Sequence, residues 1–147
     1  MAIYEIIAPQ RLKKSSVFYD GIHDYLKRMN GRATITELEG RNQADEVQKI
    51  EQRLNTASTI IMLDEKGKSV TSPDFAKIIE NSQTQKNGKI QIIIGGADGL
   101  TPALRSQADI LLSFGKQTWP HMMVRMMILE QLYRGEKIIA NHPYHRI

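Results

Sequence analysis

Three side chains near the end of the chain carry groups able to move protons or hold an anion. Tyr144, His145 and Arg146 place a phenol, an imidazole and a guanidinium side by side, directly after Pro143, which stiffens the backbone. Chain ends usually fray, but a frayed end has little reason to hold this mixture of groups. The sequence therefore predicts that this tail acts on a substrate.

Two glycine-bearing loops form a second concentration of polar groups. Gly95 and Gly96 follow a β-like run, so a ligand can approach the backbone there and a positive φ is allowed. The other loop precedes Pro120 and consists of Phe114, Gly115, Lys116, Gln117, Thr118 and Trp119. Amides near a helix start can bind a polar ligand, and an indole offers a flat apolar wall. A tight turn and a structural tryptophan are the plainer interpretations.

The elements around these loops predict where the loops lie. Runs rich in Ile, Leu and Val predict strands at residues 2–8, 33–38, 59–64, 89–94 and 109–114, with helical patterns between them. Ser72-Pro-Asp predicts a helix start with Ser72 as N-cap, and Thr101-Pro predicts a shorter helix. This alternation predicts one α/β domain, residues 1–147, with a mostly parallel sheet covered by helices on both faces.

In such a sheet, ligands bind at the carboxyl ends of the strands, where both glycine loops emerge. Neither loop has the glycine spacing of a dinucleotide-binding fingerprint, nor the Gly-Lys-Ser/Thr of a P-loop. The two loops are therefore expected to form one site of a different kind.

Composition narrows the class of protein. The 147 residues include no cysteine and only four histidines, which lack helical metal-ligand spacing, so we expect no metal site. No apolar stretch is long enough to span a bilayer and the start reads as a strand without a basic leader, so we expect a cytoplasmic protein. The net charge of +4 is compatible with a polyanionic partner, although a solvated helix face explains its local clusters equally well.

The segment 122–129 (Met-Met-Val-Arg-Met-Met-Ile-Leu) predicts a helix with apolar residues around its whole circumference. The sheet of a small domain covers one side of such a helix. We therefore expect a second copy of the chain to cover the other side in a twofold-symmetric homodimer. Complete burial within one subunit is the alternative.

Taken together, four spaced motifs resemble those of a known family. They are Ile-Ile-Gly-Gly-x-x-Gly-Leu at 93–100, Ser-Phe-x-Lys-x-Thr-x-Pro-His-x-x-x-Arg at 113–125, Glu-Gln-x-Tyr-Arg at 130–134 and Asn-His-Pro-Tyr-His-Arg at 141–146. The combination is similar to the RlmH family of the SPOUT superfamily, the ribosomal large-subunit pseudouridine N3-methyltransferases. The match is dense from residue 60 to residue 146. The first strand departs from the pattern, because Ala8-Pro-Gln stands where a glycine is expected.

This resemblance implies an α/β fold with a deep C-terminal trefoil knot and a homodimer with its active site at the interface. It also implies that S-adenosylmethionine binds to Leu63, Gly95, Gly96 and the loop 114–119. The implied methyl acceptor is N3 of a pseudouridine in helix 69 of large-subunit ribosomal RNA, in the assembled ribosome.

The implied chemistry is an in-line methyl transfer that also removes the N3 proton. A base near His145 or Tyr144, or release to water, is compatible with that step, and Arg146 is expected to hold a phosphate or the uracil oxygens. Glu130 is a further candidate base, or a structural partner of Arg125 or Arg134. Two alternatives stay open: a non-catalytic ribosome- or RNA-binding protein of this fold, and a SPOUT enzyme for transfer RNA, which is expected to be larger.

Overall fold

The computed structural model describes residues 1–146, which contain five strands alternating with five helices. The strands are β1 Ile3–Pro9, β2 Ala33–Leu38, β3 Thr59–Lys68, β4 Lys89–Ile94 and β5 Ile110–Leu112. The helices are α1 Tyr19–Arg28, α2 Gln43–Arg53, α3 Ser72–Gln85, α4 Pro102–Arg105 and α5 His121–Ile139. All five predicted strands are confirmed.

The sheet has the order β2-β1-β4-β3-β5, and every neighbouring pair runs parallel. Successive residues of β4 show how it is covered: Ile92 packs into a core with α1, α3 and α5, whereas Ile93 packs into a second core with α2 and α4. Side chains alternate between the faces of a strand, so a continuous apolar run requires both faces to be buried. The predicted α/β sheet with helices on both faces is confirmed.

Helix capping corrects one prediction. The N-cap of α3 is Thr71, whose side chain accepts a hydrogen bond from the amide of Asp74, and not Ser72. Ser72 is the first helical residue, and its hydroxyl instead donates to Gln131 of α5 at 2.7 Å. At α4, the predicted Thr101 cap is confirmed by its bond from the amide of Leu104.

β3 extends beyond its predicted end, and after Leu63 its backbone passes close to the backbone of β5. Its pairing with β5 jumps from Leu63 to Lys68, both opposite Leu112. A Cβ atom on Gly67 would lie 2.5 Å from the carbonyl carbon of Leu112, so only glycine permits this backbone approach. The segment between Leu63 and Lys68 therefore bulges outward over the end of β5.

The last helix is held to the sheet by a buried cation. The Arg125 guanidinium is fully buried; it donates to Glu37 at 2.7 Å and to the Pro9 carbonyl at 3.0 Å. Four methionines of α5 stay half-buried: Met122, Met123, Met126 and Met127. Among residues 1–146, no helix combines the length and apolar character needed to cross a bilayer.

Candidate active site

A cleft of about 550 Å³ opens where β3, β4 and β5 end. Its walls are residues 64–66, in the bulge of β3, the first loop at residues 95–100 and the second loop at residues 114–119. Eight of the nine residues expected to bind a cofactor line it: Leu63, Gly95, Gly96, Phe114, Gly115, Gln117, Thr118 and Trp119. Lys116, the ninth, is exposed and is not part of the lining.

The glycines of the first loop have specific packing reasons. A Cβ atom on Gly95 would lie 3.1 Å from Leu100 Cδ2 and 3.2 Å from the carbonyl carbon of Gly99. On Gly96 it would lie 2.6 Å from the carboxylate of Glu46. Neither residue has a positive φ; Gly99, at 71°, and Gly115, at 105°, occupy the left-handed region that side chains disfavour. The Gly-Gly pair therefore allows close packing, of Gly95 within the loop and of Gly96 against the Glu46 side chain of α2.

The second loop is closed on itself by two side chains. The Ser113 hydroxyl accepts from the amide of Gly115, and the Trp119 indole donates to the Phe114 carbonyl at 3.2 Å. Within residues 1–146, the amides of residues 116–118 have no hydrogen-bond acceptor. The loop thus presents an indole wall and backbone donors beside the start of α5, as the sequence predicts for a polar ligand.

His121, which was not predicted as a site residue, begins α5 and lines the cleft. Its Nδ1 atom is buried and has no partner among the described residues. Burial, with a smaller effect from the Arg125 charge, lowers the pKa of His121, and the negative charge of Glu46 opposes this change. The imidazole is therefore neutral near pH 7 and keeps a polar atom free for a ligand.

The tail is docked onto α5. The Tyr144 ring meets Tyr133 edge-on, with centroids 4.8 Å apart, and its hydroxyl oxygen lies 3.5 Å from that of Tyr25. The Arg134 guanidinium lies 4.9 Å above the Tyr144 ring and donates to His145 Nδ1 at 3.1 Å. The structure thus brings Tyr144 and His145 together, whereas Arg146 is exposed.

Glu130 has a structural partner. Its carboxylate pairs with Arg134 at 2.6 Å, which is one of the two pairings considered from the sequence, while Arg125 pairs with Glu37. Glu130 thereby fixes the arginine that holds the tail. The hydrogen bond that Arg134 donates to Glu130 raises the pKa of the guanidinium, so this ion pair persists near neutral pH.

Two side chains of the tail present hydrogen-bond donors. Burial, the hydrogen bond with Tyr25 and the charge of Glu130 raise the pKa of Tyr144 to about 12. The phenol is therefore protonated near neutral pH, and the part of Tyr144 in proton removal stays a prediction. A neutral His145 that accepts from Arg134 at Nδ1 carries its proton on Nε2, so it too presents a donor.

The cleft and the tail lie at opposite ends of α5. His121 borders the cleft and Arg134 holds the tail, a separation of about 20 Å at 1.5 Å per residue. A second cavity of about 490 Å³ lies between them; it shares Phe114 with the cleft, and Tyr25 and Glu130 with the tail cluster. Across residues 1–146, no three His, Asp or Glu side chains are grouped as a metal site requires.

Sequence reasoning missed the residues that support this site. Glu46 and Tyr25 reach it through contacts distant in sequence, whereas His121 closely follows the second loop and Arg134 is 11 residues from His145. Only the Glu130–Arg134 pair carried a local signal, since residues four apart share a helix face.

A parallel α/β sheet with a ligand-sized cleft at the carboxyl ends of its strands is shared by proteins of many activities. Comparison with known proteins identifies the family within this fold class. A family model described as "Predicted SPOUT methyltransferase" matches residues 2–145. Ribosomal RNA large subunit methyltransferase H of Roseobacter denitrificans is 41% identical, covering 96% of this chain and 97% of that protein. The protein of the same name from Mesorhizobium japonicum is 46% identical, covering 78% and 76%.

A solved structure agrees in fold. A probable methylase family protein from Haemophilus influenzae superposes with a TM-score of 0.57 at 11% identity, covering 94% of this chain and 66% of that one. The chain belongs to the ribosomal RNA large subunit methyltransferase H family of SPOUT methyltransferases.

Proposed function

We propose that this protein uses S-adenosylmethionine to methylate N3 of a pseudouridine in helix 69 of large-subunit ribosomal RNA, in the assembled ribosome and in the cytoplasm. One observation carries the proposal: Leu63 and the two loops predicted to hold the cofactor meet in a single cleft of about 550 Å³. Family membership supplies the reaction class.

The residues of the cleft fit this cofactor. Its volume is typical of small-molecule sites, and Leu63, Leu100 and Trp119 offer apolar surfaces for an adenine ring. The free amides of the second loop and the unpartnered Nδ1 atom of His121 supply polar contacts. When bound, S-adenosylmethionine supplies an electrophilic methyl group on its sulfonium.

The remaining chemistry is alignment and removal of one proton. Tyr144 and His145 present donors, which suits hydrogen bonds to the uracil oxygens and stabilises the anion formed when N3 loses its proton. Arg146 is exposed and free to hold a phosphate. We infer that the proton leaves to water while the tail orients the ring, because orientation alone lowers the barrier substantially.

The active site requires a homodimer in this proposal. The tail lies about 20 Å along α5 from the cleft of its own subunit, so the tail of one copy serves the cleft of the other. The half-buried methionines of α5 are the apolar surface that the second copy covers. The deep knot belongs to the same proposal, and the close passage of Gly67 over Leu112 is compatible with threading there.

Mass spectrometry of helix 69 fragments tests the function. Purified protein is incubated with S-adenosylmethionine and ribosomes that lack the modification, with transfer RNA in a parallel reaction. The expected product is one added methyl group on the pseudouridine of helix 69. Methylated transfer RNA would reassign the substrate. Ribosome binding without methyl transfer would make the protein a non-catalytic binder.

A further inference from the structure

A carboxylate from the opposite helix layer stands behind the first loop. Glu46, in α2, accepts a hydrogen bond from the amide of Gly96 at 3.0 Å. Its oxygens occupy the space that any side chain at position 96 would need. Glu46 is not part of the cleft lining, so it contacts the loop from outside.

The same helix turn holds the far side of the loop. Gln43 lies three residues before Glu46 and therefore on the same helix face. Its amide nitrogen donates to the Asp98 carbonyl at 3.1 Å and lies 3.5 Å from the Gly99 carbonyl oxygen. Two side chains of one turn thus fix both halves of a loop that is otherwise free of regular structure.

The turn itself is anchored. Asn42 caps α2 by accepting from the amide of Asp45, and a Cβ atom on Gly40 would lie 2.6 Å from the backbone nitrogen of Glu46. A carboxylate held this closely can order the loop before a ligand arrives. Hydrogen bonds to a charged acceptor are also about twice as strong as neutral ones.

We propose that Glu46 is a positioning residue for the cofactor: it holds the peptide of Gly96 in the shape that binds ligand without touching the ligand itself. The identity of that ligand rests on the function proposed above. The role of Glu46 rests only on the contacts between α2 and the first loop.

Calorimetric titration with S-adenosylmethionine separates an acceptor role from a charge role. Glu46→Gln keeps an oxygen that can accept from Gly96 and should bind within about threefold of wild type. Glu46→Ala should weaken binding at least tenfold, or about 1.4 kcal/mol. The matched control is Glu51→Ala, on the same helix, whose side chain reaches only Gln107, at 3.4 Å, among residues 1–146. Unchanged affinity in Glu46→Ala overturns the proposal.

Amide hydrogen exchange measures the hydrogen bond between the Gly96 amide and Glu46 without any ligand. In the free protein the Gly96 amide should exchange at least tenfold faster in Glu46→Ala than in wild type, while the Ile93 amide in β4 stays protected. Unaltered exchange at Gly96 overturns the proposal. If the wild-type protein shows this protection but fails to bind S-adenosylmethionine, the proposed cofactor is refuted. The role of Glu46 in ordering the first loop is then still supported.

A double-mutant cycle tests the same contact from the side of the loop, and its Gly96→Ala arm leaves Glu46 in place. A methyl group on Gly96 collides with the carboxylate, so Gly96→Ala alone should weaken binding. Combined with Glu46→Ala, the collision disappears, and the double variant should bind no worse than the poorer single variant. Strictly additive losses would show that the two residues act independently and would overturn the inference.

Discussion

Replacing Arg134 by Met should release the tail and leave the cofactor cleft intact. Arg134 contacts the tail twice, by its hydrogen bond to His145 and by its position over the Tyr144 ring. A partly buried hydrogen bond contributes about 1 kcal/mol, and a cation over an aromatic ring about 0.5–1 kcal/mol. Losing both should shift the ratio of docked to free tail by roughly 10- to 30-fold.

The assay measures three quantities on the same protein. Cleavage of the tail by carboxypeptidase should accelerate, the kcat/KM for ribosome methylation should fall about tenfold, and S-adenosylmethionine affinity should stay within twofold of wild type. The control is Arg28→Met. That guanidinium also lies over tyrosine rings, those of Tyr25 and Tyr133, but its ion pair is with Asp24 and it makes no hydrogen bond to residues 144–146.

Two results would refute this reasoning. A tail that stays equally protected in Arg134→Met would mean that aromatic packing on Tyr133 holds it without the arginine. Faster cleavage with undiminished methylation would mean that docking of the tail has no part in the reaction.

Three further predictions concern the cleft, the assembly and pH. Gly95→Val should abolish S-adenosylmethionine binding in a folded protein, because the new side chain displaces Leu100; unchanged calorimetric affinity would place the cofactor elsewhere. Sedimentation should report twice the chain mass, and a soluble monomer at micromolar concentration would exclude a shared site. Since burial lowers the pKa of His121 below its unfolded value of 6.5, the unfolded chain binds the proton first; thermal stability should fall as pH drops below about 6.5, and less so in His121→Asn.

Much of the fold followed from local sequence signals. The predicted bounds of β2 and β4 match the structure; β4 is an apolar run because both of its faces are buried, whereas the residues of the edge strand β2 range from buried to exposed. β3 exceeded its prediction because its last residues, after Leu63, are polar and pair with β5 only after a bulge. The α3 cap shifted by one residue because Thr71 and Ser72 are equally suitable by type, and Ser72 is engaged by Gln131.

The site was predictable only where a loop carries its own signal. The loops after β4 and β5 contain glycine, tryptophan and proline in patterns that mark them directly. The contacts that shape them are long-range: Glu46 is 50 residues from Gly96 and Tyr25 is 119 residues from Tyr144. No periodicity or spacing rule encodes such a pair, because the fold brings the partners together.

The buried Arg125 explains how α5 keeps the cleft and the tail at a fixed distance from each other. It lies one turn after His121, and its bonds to Glu37 and the Pro9 carbonyl tie that turn to the ends of β1 and β2. Removing a partner from a buried charge costs several kcal/mol, so the start of α5 cannot slide relative to the cleft. The other end of α5 then presents the tail at a fixed distance. In the function proposed above, the cofactor binds at one end of this rigid helix and the substrate at the other, so that proposal requires a second subunit to bring the two together.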